Sequence, residues 1–276
     1  MSWKRSINRA LTRATGYELR RERTVTAGAA DRLVARPAFI LCTLRSGSTL
    51  LRVLLDSHSQ LHAPHELHLR YISVKLGATW SERSIKEMGL DQRALEYLLW
   101  DRLLHRELAG SGKPYLVDKT PNNVFIADRI KECWPDARYV FLLRHPAAIA
   151  RSRMAIRPNA DPEQNVELIQ RYCEALEQAR AMYDGLTVRY EDLTADPTGQ
   201  TQRLCEFLDV PWEPEMLEYG RFDHGRYKDG LGDWADKIRT GKVQPAEPPP
   251  QEIPEALQDA CAAWGYLPQK ARVPAD

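Results

Sequence analysis

The sequence predicts an α/β fold in three layers, with a central parallel sheet flanked by helices. Short apolar runs rich in Val, Ile, Leu and Phe alternate with longer helical periods along most of the chain, the pattern of strands joined by helical crossovers. Arg45, Asp118, Lys119, Arg144 and Glu191 each fall at or just past the end of such a run, and in parallel sheets ligands sit beyond the carboxyl ends of the strands. At 276 residues and 43% hydrophobic composition, the chain can bury the core of one large domain.

Residues 1–36 hold nine Lys or Arg against three Asp or Glu. They read as a basic helical arm, solvated or packed on a partner, with a membrane surface or an acidic partner as the alternative. The main domain is placed at 37–267 and a tail at 268–276. Within it a strand is expected over 38–43, then a tight turn and a helix over 48–56. The segment 57–112 reads as helical and loop-like, rich in His, Trp and Tyr. A second strand is expected at Tyr115–Val117, closed by Asp118-Lys119-Thr120-Pro121, with a helix over 123–133. Arg138–Leu143 makes a third strand that stops at Arg144-His145-Pro146. Helices follow at 147–155 and 165–183, a strand at 186–190 and a helix at 197–208. The Pro-rich 244–250 stretch is expected to be extended. A last helix is expected over 254–264, with Pro254 suited to its first turn.

Bulk properties remove several function classes. A formal net charge of +1 gives no support for a nucleic-acid partner. No apolar run is long enough to span a bilayer. The basic start, Met1 to Ser6, has no apolar stretch behind it, so no signal peptide is expected. Five scattered cysteines without C-x-x-C spacing read as reduced thiols of a cytoplasmic protein and define no metal site. Homo-oligomerisation is left open.

Two segments carry the chemistry. Leu44-Arg45-Ser46-Gly47-Ser48-Thr49-Leu50 follows a buried strand and opens a helix. Backbone N–H groups at such a helix start, reinforced by its dipole, suit an anion. Gly47 allows close approach, the hydroxyls of Ser46, Ser48 and Thr49 add donors, and Arg45 adds fixed charge. No Lys follows the Gly, so this is not the Gly-x-x-x-x-Gly-Lys-Ser/Thr loop of ordinary nucleotide triphosphatases. In the second segment Arg144 ends a strand, and Ser152 lies eight residues on, two turns into a helix. Both can face one anion.

Taken together, Arg-Ser-Gly-Ser-Thr after a strand and Leu-Arg-His-Pro with a Ser eight residues past the Arg resemble the sulfotransferases that use 3′-phosphoadenosine 5′-phosphosulfate (PAPS). Arg189-Tyr190-Glu191-Asp192 resembles that family's Tyr-Glu-Asp segment, and Gly230–Trp234 its late Gly-Asp-Trp region. The resemblance covers residues 38–266. Pro64–Leu69 and Asp118–Pro121 are similar to the bacterial branch acting on lipids, sugars or polyketides. It implies a P-loop-like fold, PAPS as donor, adenosine 3′,5′-bisphosphate as product, no metal, and a small-molecule hydroxyl as acceptor. By the same resemblance, residues 45–50 hold the 5′-phosphosulfate and Arg144 and Ser152 the 3′-phosphate. Tyr190 then lies at the adenine, Lys228 at the 3′-phosphate, and 57–112 on the acceptor side.

The chain departs from the cytosolic steroid and phenol branch at three positions. Arg45 stands where that branch has Lys, Leu50 where it stacks a Trp on adenine, and Asp229 where it has Gly. Phe222 or Trp80 is then the candidate stacking residue. For the general base, Glu66 lies twenty-one residues after Arg45, a spacing similar to that of the trehalose sulfotransferases. His68 is its rival and His65 a neighbour; alternation puts Glu66 and His68 on one face of an extended segment. Lys119 is expected to neutralise the donor or orient the acceptor. A strand ending in Asp118 also fits a magnesium-dependent kinase or triphosphatase. That enzyme and a non-catalytic nucleotide-binding protein are the competing readings.

Overall fold

The computed structural model describes residues 32–224 and 236–267. The arm up to residue 31, the tail from 268, and the segment holding Lys228, Asp229 and Gly230–Trp234 lie outside the described residues. Five strands, β1 (Ala38–Cys42), β2 (Leu61–His62), β3 (Tyr115–Asp118), β4 (Arg138–Leu143) and β5 (Gly185–Arg189), form one sheet in the order β2-β3-β1-β4-β5. Every pairing is parallel. Ten helices are described: α1 (Ser48–Asp56), α2 (Thr79–Glu87), α3 (Gln92–Ser111), α4 (Ala127–Cys133), α5 (Pro146–Ile156), α6 (Pro162–Met182), α7 (Tyr190–Ala195), α8 (Pro197–Phe207), α9 (Asp236–Arg239) and α10 (Glu255–Ala263).

The three layers follow from the two-residue period of a strand. Phe39, Leu41, Tyr139, Phe141 and Leu143 point to one face, where they bury against α3 to α6 and α10. Ala38, Ile40, Cys42, Val140, Leu142 and Val188 point to the other, against α1, α7 and α8. Both faces are covered, so these strands read as unbroken apolar runs. β1 lies between β3 and β4 with Phe39 opposite Asp118 and Cys42 opposite Leu142. That register brings Arg45, Asp118-Lys119 and Arg144 to one rim of the sheet.

Expected and observed elements differ mainly at two places. The helix expected over 123–133 is a 3₁₀ segment, Pro121–Ile126, followed by α4. Its first turn closes with an Asn123 N–H bond to Thr120 O at 2.9 Å, and Asn123 is held by Asp118, which fixes the tighter winding. The 57–112 segment contains the two-residue strand β2, a 3₁₀ turn at Leu69–Tyr71, and then α2 and α3. Two residues are too short for a period, so β2 is illegible in sequence. All five cysteines are buried free thiols, and among the described residues no helix is long and apolar enough to cross a membrane.

Trp134 anchors the helical layer: it is fully buried, its ring centroid lies 5.4 Å from that of Phe39, and its Nε1 donates to Asp101 Oδ1 at 3.1 Å. Trp134→Ala is expected to destabilise the protein by about 3–5 kcal/mol, read as a lowered urea midpoint at unchanged slope.

Candidate functional site

The turn between β1 and α1 is built from two left-handed residues, Arg45 (φ 61°) and Gly47 (φ 85°). Ser46 is fully buried and donates its hydroxyl to Thr43 O at 2.8 Å, so it shapes the turn rather than facing outward. A Cβ on Gly47 would collide with the Tyr190 ring. Glycine is therefore required here twice, by its dihedral and by the close approach. Gly47 occupies the N-cap of α1 and makes no side-chain cap bond, and the start of such a helix favours an anion.

Arg144, one residue past β4, donates from Nη1 to Arg45 O at 2.8 Å and stacks its guanidinium over the Tyr190 ring at 4.6 Å. Arg45 donates from Nε to Ser152 Oγ at 3.3 Å. Arg144 and Ser152, expected from sequence to face one anion, lie on one cleft with Arg45 and Tyr190. Burial, and then the neighbouring Arg144 charge, push the Arg45 guanidinium below its usual range. Among the described residues neither arginine has a carboxylate partner. Both line one cleft of about 740 Å³ together with Gly47, Ser48, Thr49, Leu50, Ser152, Tyr190 and Glu66.

Glu66 lines the same cleft. Lys119 Nζ donates to Glu66 Oε1 at 2.6 Å, the lysine side chain being 1% exposed. His68 Nε2 lies 3.4 Å from Glu66 Oε2. Glu66 and His68 do come together, but not as alternating residues of an extended segment. His68 is left-handed (φ 51°) and starts the Leu69–Tyr71 turn, which swings its ring back onto the carboxylate. His65 is exposed. Lys119 does not itself line the cleft and meets it through Glu66.

Asp118 is fully buried and accepts from Asn123 Nδ2 at 2.5 Å and from Thr120 Oγ1 at 3.2 Å. Loss of hydration raises its pKa to about 6, opposed by those bonds and by Lys119. Glu191 accepts from His145 N at 3.1 Å and from the Tyr266 hydroxyl at 2.6 Å, a brace behind Arg144 rather than a wall of the cleft. The stacking candidates from sequence are displaced: Trp80 is 77% and Phe222 40% exposed, and neither lines the cleft. Tyr190 and Tyr219 do.

Sequence reasoning missed Arg151, Arg153, Lys242 and Tyr172 on the cleft wall. Arg151 pairs with Glu247 at 3.5 Å and Arg153 with Asn165 at 2.7 Å. The available signal was their place on the helix that carries Ser152. Lys242 offered none, because its approach depends on how the chain returns after α8.

The Sulfotransferase family model matches residues 37–214. Protein-tyrosine sulfotransferase A of Caenorhabditis elegans is 25% identical over 194 residues, which cover 63% of this chain and 50% of that protein. The Drosophila melanogaster protein-tyrosine sulfotransferase is 25% identical over 193 residues, covering 64% of this chain and 39% of that protein. The chain thus spans half or less of these two relatives. Among solved structures, the sulfotransferase domain from the curacin biosynthetic pathway superposes with a TM-score of 0.60 at 22% identity, covering 86% of this chain and 99% of that one. The sulfotransferase domain of the Synechococcus PCC 7002 olefin synthase gives 0.62 at 24% identity, covering 86% and 97%. With the match spanning most of the sheet and both arginine-bearing loops, the chain belongs to the sulfotransferase family.

Proposed function

We propose that the protein transfers a sulfuryl group from PAPS to a hydroxyl of a small-molecule, lipid, sugar or polyketide acceptor. The observation that carries this reading is the convergence of Arg45, Arg144, Ser152 and Tyr190 on the cleft that also holds Glu66. A donor with phosphate at two ends of one adenosine needs two cationic contacts and an aromatic surface within a nucleotide's length. The cleft offers these together with the N-terminus of α1.

In this reading Arg144 and Ser152 take the 3′-phosphate, with Lys228 as a further contact from outside the described residues. The 45–50 turn takes the 5′-phosphosulfate, and Tyr190 borders the adenine. Glu66 removes the acceptor's proton as its oxygen bonds to sulfur, and the bond from sulfur to the bridging phosphate oxygen breaks in line. Adenosine 3′,5′-bisphosphate leaves with the electron pair. Arg45 and the 46–49 amides face the oxygens on which charge grows. Lys119 holds Glu66 in place through its hydrogen bond, and His68, within reach of the same carboxylate, is the rival base. The acceptor side is assigned to 57–112, whose inner edge carries Glu66. Five buried thiols support a reducing, cytoplasmic setting. The bacterial-branch reading rests on the Pro64–Leu69 and Asp118–Pro121 motifs.

A magnesium-dependent phosphotransferase is less well supported. Asp118 commits its oxygens to Asn123 and Thr120 and does not line the cleft, while that reading leaves Arg144 and Ser152 without a task. EDTA should leave transfer unaffected if the sulfotransferase reading holds. A non-catalytic nucleotide-binding protein would bind the bisphosphate and transfer to nothing.

Thermal shift with adenosine 3′,5′-bisphosphate, AMP, ADP and ATP is the direct test. The bisphosphate should raise the melting temperature most, since a ligand of the folded state stabilises by mass action. Preference for ATP would overturn the assignment. Arg45→Ala should slow transfer of ³⁵S-labelled sulfuryl to an acceptor panel by about 100- to 1000-fold. Arg144→Ala should weaken bisphosphate binding by about ten- to a hundredfold. Equal loss of turnover in both variants with binding intact contradicts this division. Gly47→Ala should abolish bisphosphate binding while the far-ultraviolet spectrum is kept.

A further inference from the structure

The segment 63–68 carries Glu66 to the cleft without belonging to any ladder or helix of the described residues. Something other than backbone pairing must hold its position. Thr120 sits opposite, one turn of chain past β3, and is itself fully buried. Its hydroxyl accepts from Leu67 N at 3.0 Å and from His68 N at 3.4 Å, and donates to Asp118 Oδ1 at 3.2 Å. A threonine hydroxyl has one proton and two lone pairs, so all three capacities are used. Asn123 Nδ2 fixes the other Asp118 oxygen at 2.5 Å, which turns the carboxylate toward Thr120. At the far end of the segment the Arg70 guanidinium packs over the Phe125 ring at 4.4 Å.

We infer that Thr120 is a positioning residue for catalysis, a side-chain latch that ties the Glu66 segment to the end of β3 and so sets where the Glu66 carboxylate stands. The latch and the lysine that grips Glu66 are adjacent residues of one strand end, Lys119 and Thr120. Backbone and carboxylate are therefore held from a single rigid point on the sheet. The left-handed turn at His68 is the backbone conformation that lets both amides reach one oxygen. The inference rests on Glu66 acting at the reacting hydroxyl, and it assigns Asp118 an orienting task in place of a metal-binding one.

Thr120→Val keeps the shape and removes all three bonds; Thr120→Ser keeps the bonds and removes a methyl. Sub-ångström loosening of a catalytic group costs up to about a hundredfold in rate. Thr120→Val should therefore lower the transfer rate at saturating donor and acceptor by about ten- to a hundredfold. Its affinity for adenosine 3′,5′-bisphosphate should stay at the wild-type value. Thr120→Ser should recover most of the rate. Hydrogen exchange on the wild-type chain supplies a second measure that needs neither a variant nor an acceptor: amides of Leu67 and His68 should be protected, and that of exposed His65 should not. Fast exchange at Leu67 and His68 overturns the latch. So does wild-type transfer by Thr120→Val, or a parallel loss of bisphosphate affinity. A wild-type chain that binds the bisphosphate and transfers to no hydroxyl overturns instead the reaction the latch serves.

Discussion

Two guanidinium groups share one cleft, neither with a carboxylate partner among the described residues, and the rest of the molecule is arranged around that fact. Burial first, and then the neighbouring Arg144 charge, push the Arg45 guanidinium below its usual range. The fold maintains them with contacts that do not neutralise them: Arg144 donates to a carbonyl and stacks on Tyr190, and Arg45 donates to a hydroxyl. An anion bound between them would relieve that charge. The parallel sheet supplies the geometry, because β1 beside β4 in register places the ends of both strands at one rim.

The other half of the site inverts that logic. Lys119 and Glu66 form a close, buried ion pair, and such a pair contributes to specificity of arrangement more than to stability. Here Glu66 lines the same cleft as Arg45 and Arg144, so the cleft combines cationic groups with a carboxylate held by a lysine. In the proposed reading a donor held by the arginines presents its sulfuryl group toward Glu66, with the bisphosphate leaving group on the far side. Tyr190 underlies the cationic side of the cleft, packed on Gly47 and beneath Arg144.

Much of this was legible in the sequence. Apolar runs fixed by two-sided burial gave the strand ends at Cys42, Asp118, Leu143 and Arg189 to within about a residue, because strands covered on both faces are predominantly apolar. The Arg45–Leu50 turn was legible because its glycine and hydroxyls have few other uses before a helix. Less was legible where contacts join segments distant in sequence. Nothing local tells that Arg45 rather than Arg144 reaches Ser152, or that Lys119 spends its charge on Glu66. The aromatic lining of the cleft was hidden for the same reason: Trp80 lies on α2, which buries none of its residues, whereas Tyr190 is brought to the cleft by the end of β5. The 3₁₀ winding of Pro121–Ile126 depends on Asn123 meeting Asp118, a contact that helical periodicity does not report.

The central claim is that Arg144 recognises a phosphate on the 3′ side of an adenosine whose 5′ end lies at the 45–50 turn. Calorimetric titration of wild type and Arg144→Ala with adenosine 3′,5′-bisphosphate and with AMP forms a cycle that isolates it. The account predicts that the wild type favours the bisphosphate over AMP by about ten- to a hundredfold, a charge-assisted contact's worth, and that Arg144→Ala erases most of that preference while leaving AMP affinity nearly unchanged. A preference that survives the substitution undiminished would contradict it.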